Sequence, residues 1–154
     1  SQMKKLSIIV PCYNEQETVE LFIREMEKVE TEMPLKFEYI FINDGSSDET
    51  LRVLKNAASL KENINFISFS RNFGKEAALI AGLKAATGDF VTVMDVDLQD
   101  PPELLPEMYQ KIQDGYDIVG TRRSDRVGEP VIRSFFAKNF YKIINIELII
   151  PIQL

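Results

Sequence analysis

Residues 90–102 read FVTVMDVDLQDPP, an apolar run that breaks at Asp95-Val96-Asp97 into an acidic loop and then into two prolines. Phe90 to Met94 reads as a buried strand, and Asp97 to Pro102 as the loop that leaves it. Pro102 suits the first turn of a helix bearing Leu105, Met108, Tyr109 and Ile112. A strand, a polar loop and a helix in direct succession are one unit of an α/β sheet, and the flanking sequence repeats the unit.

Upstream, Leu6 to Val10 is a strand ended by Pro11, and Asn14 with Glu17 offers a capping-box start to a helix. Val19, Phe22, Met26, Val29 and Met33 follow at helical spacing until Pro34 stops them. Phe37 to Ile42 is a strand, and the serines of Asp44-Gly45-Ser46-Ser47-Asp48 can cap the helix carrying Leu51, Leu54 and Ala58. Ile64 to Phe69 is a third strand, followed by an alanine-rich helix from Lys75 to Ala86 that Gly88 closes; Gly82 reads as a packing glycine. Downstream, Asp117 to Gly120 is a fifth strand.

Strands alternating with helices imply parallel pairing, so the fold expected is α/β, a doubly wound, mostly parallel sheet with helices on both faces. Residues 1–145 are expected to form one domain and residues 146–154 a tail. A helix is expected over Val131 to Asn145, with Ile132, Phe135, Phe136, Phe140, Ile143 and Ile144 on one side and Arg133, Lys138 and Lys142 elsewhere. Such a helix could lie on an anionic membrane surface, or pack on the sheet or a partner subunit, and the second is favoured.

The 154 residues are 45% apolar and 27% charged, as in ordinary globular domains. There is no histidine, which removes Ser-His-Asp and Cys-His chemistry and His-ligated zinc. The one cysteine, Cys12, reads as a small core residue in a reducing compartment. A net charge of −6 argues against nucleic-acid binding. Neither a signal-peptide pattern nor an apolar run of membrane-spanning length is visible, which predicts a soluble chain on the cytoplasmic side. There is no G-x-G-x-x-G and no Walker loop, so dinucleotide and NTPase readings lack support.

Ligands of open α/β sheets bind outside the carboxyl ends of the strands. Four polar clusters fall there: Pro11-Cys12-Tyr13-Asn14-Glu15, Asn43-Asp44-Gly45-Ser46, Asp95-Val96-Asp97-Leu98-Gln99 and Gly120-Thr121-Arg122-Arg123. Asp95 and Asp97, two apart at a strand end, could face one ion, and oxygen ligands select a hard cation, Mg2+ or Mn2+, held with substrate phosphates. An isolated D-x-D is more often a solvated acidic loop; the preceding apolar strand and the following prolines are what single this one out. On residue type alone, Asp44 is equally a helix cap or a ligand, and Tyr13 equally a stacking or a packing ring. Arg71, Lys75, Arg122, Arg123, Arg126 and Arg133 are the cations near this rim that a diphosphate would need, although surface arginines are commonplace.

Ile9-Val10-Pro11-Cys12-Tyr13-Asn14-Glu15, Asn43-Asp44-Gly45-Ser46-Ser47-Asp48 and Asp95-Val96-Asp97-Leu98-Gln99-Asp100-Pro101-Pro102-Glu103 resemble the family-two inverting glycosyltransferases of the GT-A fold. Ser70-Arg71-Asn72-Phe73-Gly74-Lys75-Glu76-Ala77-Ala78 is similar to the polyprenyl-phosphate branch, the dolichol-phosphate mannosyltransferases and especially the undecaprenyl-phosphate glucosyltransferases. The resemblance implies that Pro11, Tyr13, Glu15, Ile42 and Asp44 line the nucleotide pocket, Asp44 meeting the base. It implies Asp95, Val96 and Asp97 at the ribose and diphosphate, with Asp95, Asp97 and Gln99 around the metal and Asp95 and Asp97 catalytic. Arg122 would reach the donor or acceptor phosphate, and Lys75 joins the pocket.

The implied reaction moves a hexose with inversion, UDP-glucose being favoured over GDP-mannose as donor, onto a polyprenyl phosphate at the cytoplasmic face of a membrane. A phosphate acceptor, with a second pKa of about 6, needs no general base. The D-F-R-L-like motif and transmembrane helices that such enzymes carry are not seen here. Membrane contact is therefore expected through a further C-terminal part, and a homo-oligomer is compatible with the reading. Two other readings stay open: a soluble family-two transferase acting on a glycan, which the Ser70–Ala78 stretch disfavours, and a non-catalytic nucleotide-binding module.

Overall fold

The computed structural model describes residues 3–99, 101–116, 118–124 and 130–137. Its strands are β1 (Lys4–Cys12), β2 (Leu35–Asn43), β3 (Ile64–Ser68), β4 (Phe90–Val93), β5 (Ile118–Ser124) and β6 (Pro130–Ala137). The helices are α1 (Val19–Glu30), α2 (Thr50–Leu60), α3 (Lys75–Ala85) and α4 (Leu104–Gln113). The strands form one sheet in the order β3-β2-β1-β4-β6-β5. β1 pairs in parallel with β2 and β4, and β2 with β3, so β1 to β4 share one direction.

β1 is central because Leu6 to Val10, apolar but for Ser7, is buried on both faces, and such a strand needs helices on both. Leu6, Ile8 and Val10 join a core completed by α1, α2 and α4, through Phe22, Leu54 and Leu105 among others. Ile9, on the other face, meets Ile40, Ile42 and Val91 beneath Ala78 and Leu83 of α3. α3 lies so close to the sheet that a Cβ on Gly82 would stand 2.4 Å from Ile9 Cγ2, which accounts for the packing glycine.

Several local expectations are corrected. Pro11 does not end β1, which runs to Cys12 opposite Asn43 of β2. Cys12 O accepts from Asp44 N on the β2 side, so by strand alternation Pro11 turns its missing amide toward β4. There the ladder has already stopped, at Val93 opposite Ile9, and the proline costs no ladder bond. Asn14 does not cap α1, which starts at Val19 without a side-chain cap. Ser46 and Ser47 likewise leave α2 without one; both are drawn into contacts between loops. Gly88 acts through close approach rather than as a helix end: α3 is already over at Ala85, and a Cβ on Gly88 would collide with Ser7 Oγ and Lys5 O.

The largest correction lies past β5. Residues 131–137, expected to be helical, belong instead to β6, inserted antiparallel between β4 and β5. Ile132, Phe135 and Phe136 fit a helical stripe loosely, and tertiary pairing overrode it: Phe135 is fully buried against Phe90 and Tyr109. The membrane-surface reading of these residues falls with the helix, while residues 138–145 lie outside the described residues. No helix among the described residues is long and apolar enough to cross a membrane. β5 also outruns its expected end, so Arg122 and Arg123 lie within a strand.

Two antiparallel steps restore direction, so β5 ends on the same rim as β4. Through Phe135, Thr92 of β4 is level with Val119 of β5, and Arg122 lies three residues further toward that rim.

If β6 closes this half of the sheet, Phe135→Ala will remove about 3–5 kcal/mol of stability. Urea unfolding followed by circular dichroism should show the loss, and an unchanged midpoint would contradict β6 as a core strand.

Candidate active site

The chain goes from β1 to β2 and β3 on one side, then returns to place β4 on the other side of β1. This is a topological switch point, where the loops after two neighbouring strands diverge and open a crevice. A hollow of about 190 Å³ lies there, lined by Pro11, Cys12, Tyr13, Glu15, Asp44, Lys75 and Asp95. Six of these seven are residues singled out for the pocket from sequence. A larger groove of about 690 Å³, bordered by Lys5, Lys36, Glu38 and Asn65, holds none of the predicted residues. It lies at the opposite, amino ends of the strands.

The loops around the hollow are fastened to one another. Asn14, at φ +53°, turns its amide oxygen to accept from Ser47 N at 2.8 Å, Ser47 Oγ at 3.3 Å and Asp48 N at 3.3 Å. Its own N–H donates to Ser46 Oγ at 2.9 Å, and Glu15 N to Thr50 Oγ1 at 2.8 Å. The capping residues expected for α1 and α2 thus bind the β1 loop to the β2 loop. Nothing in the sequence distinguished this clasp, because Asn and Ser serve local turns and distant loops alike.

Asp44 fastens the third loop. Its carboxylate, 5% exposed, accepts from Phe73 N at 2.7 Å, Gly74 N at 3.1 Å and Asn72 Nδ2 at 3.3 Å. Asp44 is therefore no cap for α2; it holds the segment from which α3 starts. Gly45, at φ +69°, is the necessary next residue, since a Cβ there would stand 2.2 Å from the backbone of Arg71 and Asn72. Arg71 lies over the half-exposed Phe73 ring, its Cζ 4.1 Å from the centroid, a cation–π contact the sequence reading missed.

Beyond β4 the chain leaves strand geometry. Leu98 N donates to Asp95 O at 3.2 Å, with Leu98 at φ +59°. A leucine in that region costs about 1–2 kcal/mol, and its packing against the core offsets the cost. Asp95 and Asp97 thus share the solvent side because Val96 between them is buried, rather than through the pleat of a strand. Asp95 Oδ1 lies 3.1 Å from Lys75 Nζ. Asp97 is exposed, outside the lining of the hollow, and accepts from Gln99 N at 3.3 Å and Gln99 Nε2 at 3.0 Å.

Not every predicted residue points into the hollow. Ile42 is wholly buried beneath α3, and Val96 offers the rim only its backbone. Arg122 is placed by its strand position alone. Cys12 reaches the floor of the hollow, but its thiol donates toward Val10 O at 3.5 Å, and burial, followed by the Glu15 charge, pushes its pKa far up. A thiol so placed is inert, in keeping with a core role.

The electrostatics are lopsided. Glu15, Asp44 and Asp95 face one ammonium, Lys75, so a diphosphate entering this hollow requires added positive charge. The oxygen donors available, the Asp95 and Asp97 carboxylates and the Gln99 amide oxygen, suit Mg2+ or Mn2+ completed by substrate phosphates. Among the described residues no three Cys, Asp or Glu side chains cluster in a way that could hold a metal ion by themselves.

The model of the family described as glycosyl transferase family 2 matches residues 7–149. An uncharacterized glycosyltransferase of Synechocystis sp. is 44% identical over 141 residues, covering 92% of this chain and 44% of the relative. The bactoprenol glucosyl transferase of Shigella phage SfX is 43% identical over 141 residues, covering 92% and 46%. The chain thus spans less than half the length of these relatives. Among solved structures, the mannosyltransferase PcManGT from Pyrobaculum calidifontis, in complex with GDP-Man and Mn2+, superposes with a TM-score of 0.71 at 19% identity, covering 94% of this chain and 47% of that one. The fold is that of the GT-A glycosyltransferases.

Two substitutions test the fastening of the loops. Asp44→Ala leaves two backbone amides unpaired and should cost about 2–4 kcal/mol. Gly45→Ala meets both the positive φ and the Arg71 backbone and should cost about 2–4 kcal/mol. Denaturant midpoints within about 0.5 kcal/mol of the unmodified chain would deny the anchor its role.

Proposed function

The chain belongs to glycosyl transferase family 2, and from that premise we propose that it is the donor-binding part of an inverting, metal-dependent hexosyltransferase. Its donor is UDP-glucose and its acceptor a polyprenyl phosphate at the cytoplasmic face of a membrane. One observation carries the reading: the loops after β1, β2 and β4 converge with the start of α3 on a single acidic hollow at the switch point. The relatives named bactoprenol glucosyl transferases support the acceptor class.

In this reading Pro11, Tyr13 and Asp44 border the nucleoside. Tyr13 is 50% exposed, with a ring face open to stack on a base. Asp44 has most of its acceptor capacity engaged by the loop, so it would offer a base one remaining lone pair. Glu15 is restrained by the Thr18 hydroxyl, which donates to its carboxylate at 2.6 Å. Asp95, Asp97 and Gln99 would hold Mg2+ or Mn2+, which when bound neutralises the departing diphosphate as a Lewis acid. Gln99 meanwhile donates to Asp97 and fixes the orientation of its carboxylate. Arg122, on the same rim, is the cation for a donor or acceptor phosphate. A phosphate acceptor is already ionised near neutrality, so the absence of histidine leaves the chemistry intact.

A thermal-shift panel of UDP, GDP and CMP sugars with Mn2+ or with chelator tests the donor. At a hundredfold excess over Kd, UDP-glucose with Mn2+ should add about 2.7 kcal/mol, roughly 5–10 °C in Tm. Equal shifts with chelator would remove the metal, and shifts from GDP sugars alone would remove UDP. Asp97 is exposed, so Asp97→Ala should leave the ligand-free Tm within about 2 °C. The same variant should erase the Mn2+-dependent shift and abolish transfer by the full-length enzyme; retained transfer would refute the assignment.

A further inference from the structure

Lys75 is the first residue of α3, directly after Gly74 at φ +101°. Its side chain begins where the helix dipole is positive, a position that stabilises anions and disfavours cations. The ammonium is held there by Asp95 at 3.1 Å, with Lys75 62% and Asp95 34% exposed. The contact joins the start of α3 to the loop after β4 and is framed by the Asp44 anchor, which fixes the backbone of Phe73 and Gly74 just before Lys75.

We propose that Lys75 is an exchangeable counterion: it occupies Asp95 while the site is empty and moves to the donor diphosphate when a divalent cation takes Asp95. The proposal rests on the reading of Asp95 as a metal-holding carboxylate. A carboxylate cannot keep an ammonium at this distance and also accept a Mg2+-type ion at about 2.1 Å without severe like-charge repulsion. Lys75 can leave cheaply, because its side chain is flexible and more than half exposed. Its destination is close, because Lys75 and Asp95 line the same hollow, where the diphosphate would bring the negative charge that Asp95 gives up. No bond is made or broken; one ion pair is traded for two.

The consequence is coupling. Before nucleotide arrives, Lys75 competes with the metal for Asp95, and the metal alone binds weakly. With nucleotide present the ammonium has a better partner, and metal and nucleotide each raise the other's affinity by the same factor. Lys75 therefore acts on metal binding by competition and on nucleotide binding by contact, with opposite signs. A residue with a merely structural role would weaken both.

The test is a Mn2+ titration followed by the EPR signal of the free ion, with and without UDP, on the unmodified chain, Lys75→Met, Lys75→Arg and Asp95→Asn. For Lys75→Met, Mn2+ alone should bind about tenfold tighter, UDP in the presence of Mn2+ about tenfold weaker, and the coupling between them should fall toward one. Lys75→Arg should keep the coupling of the unmodified chain. If Lys75→Met binds Mn2+ alone no more tightly than the unmodified chain does, the exchange is overturned while the metal site stands. If the unmodified chain and Asp95→Asn take up Mn2+ equally, or neither takes it up, the metal reading itself fails and the exchange goes with it.

Discussion

The carboxylate of Asp44 receives the backbone amides of Phe73 and Gly74, and the rest of the site depends on that contact. β3 lies two strands away from β1, so the loop leaving it would by default end far from the crevice. Asp44 draws that loop across the end of β2, and Gly45 permits the approach by having no side chain where the Arg71 and Asn72 backbone passes. α3 then starts at the hollow, with Lys75 opposite Asp95. Burial of the Asp44 carboxylate makes the anchor worth more than a surface hydrogen bond, because a buried carboxylate left without its donors would be costly.

The second organising fact is an excess of negative charge in the hollow. Three carboxylates and one ammonium line the hollow. They are sustained there by hydrogen bonds that use part of each charge: Asp44 by loop amides, Glu15 by Thr18, Asp95 by Lys75. The surroundings supply no competing chemistry, since Cys12 is buried with its thiol pKa raised and there is no histidine.

The sheet supplies the rigidity. β1 is braced on both sides, by β2 over its whole length and by β4 as far as Ile9, so its last residues rise free of β4 at the switch point. β6, slotted antiparallel beside β4, buries Phe135 against Phe90 and Tyr109 and carries β5, with Arg122, to the same rim. The fold is shared with a GT-A mannosyltransferase at only 19% identity. The constraint lies in the layers of the fold and not in particular core residues.

Much of the architecture was legible in the residues themselves. The apolar runs Leu6–Val10 and Phe90–Met94, the period of Val19, Phe22 and Met26, and the punctuation by proline and glycine specify the strands and helices up to α4, because burial acts on each segment through its own periodicity. The rim clusters were legible too, since polar residues directly after apolar strands have one place to go in a parallel sheet. What the sequence could not express is partnership between distant segments. Asn14 and Ser46 look like caps and are clasps between loops; Asp44 looks like a cap or a ligand and is an anchor; Ile132 to Phe136 suggest a helix and lie in a strand. In each case the local preference is worth at most about 1 kcal/mol. The contacts that override it exist only once the chain has closed on itself: several hydrogen bonds at once between the Asn14 and Ser46–Asp48 loops, loop amides bonded to the buried Asp44 carboxylate, and Phe135 filling the core.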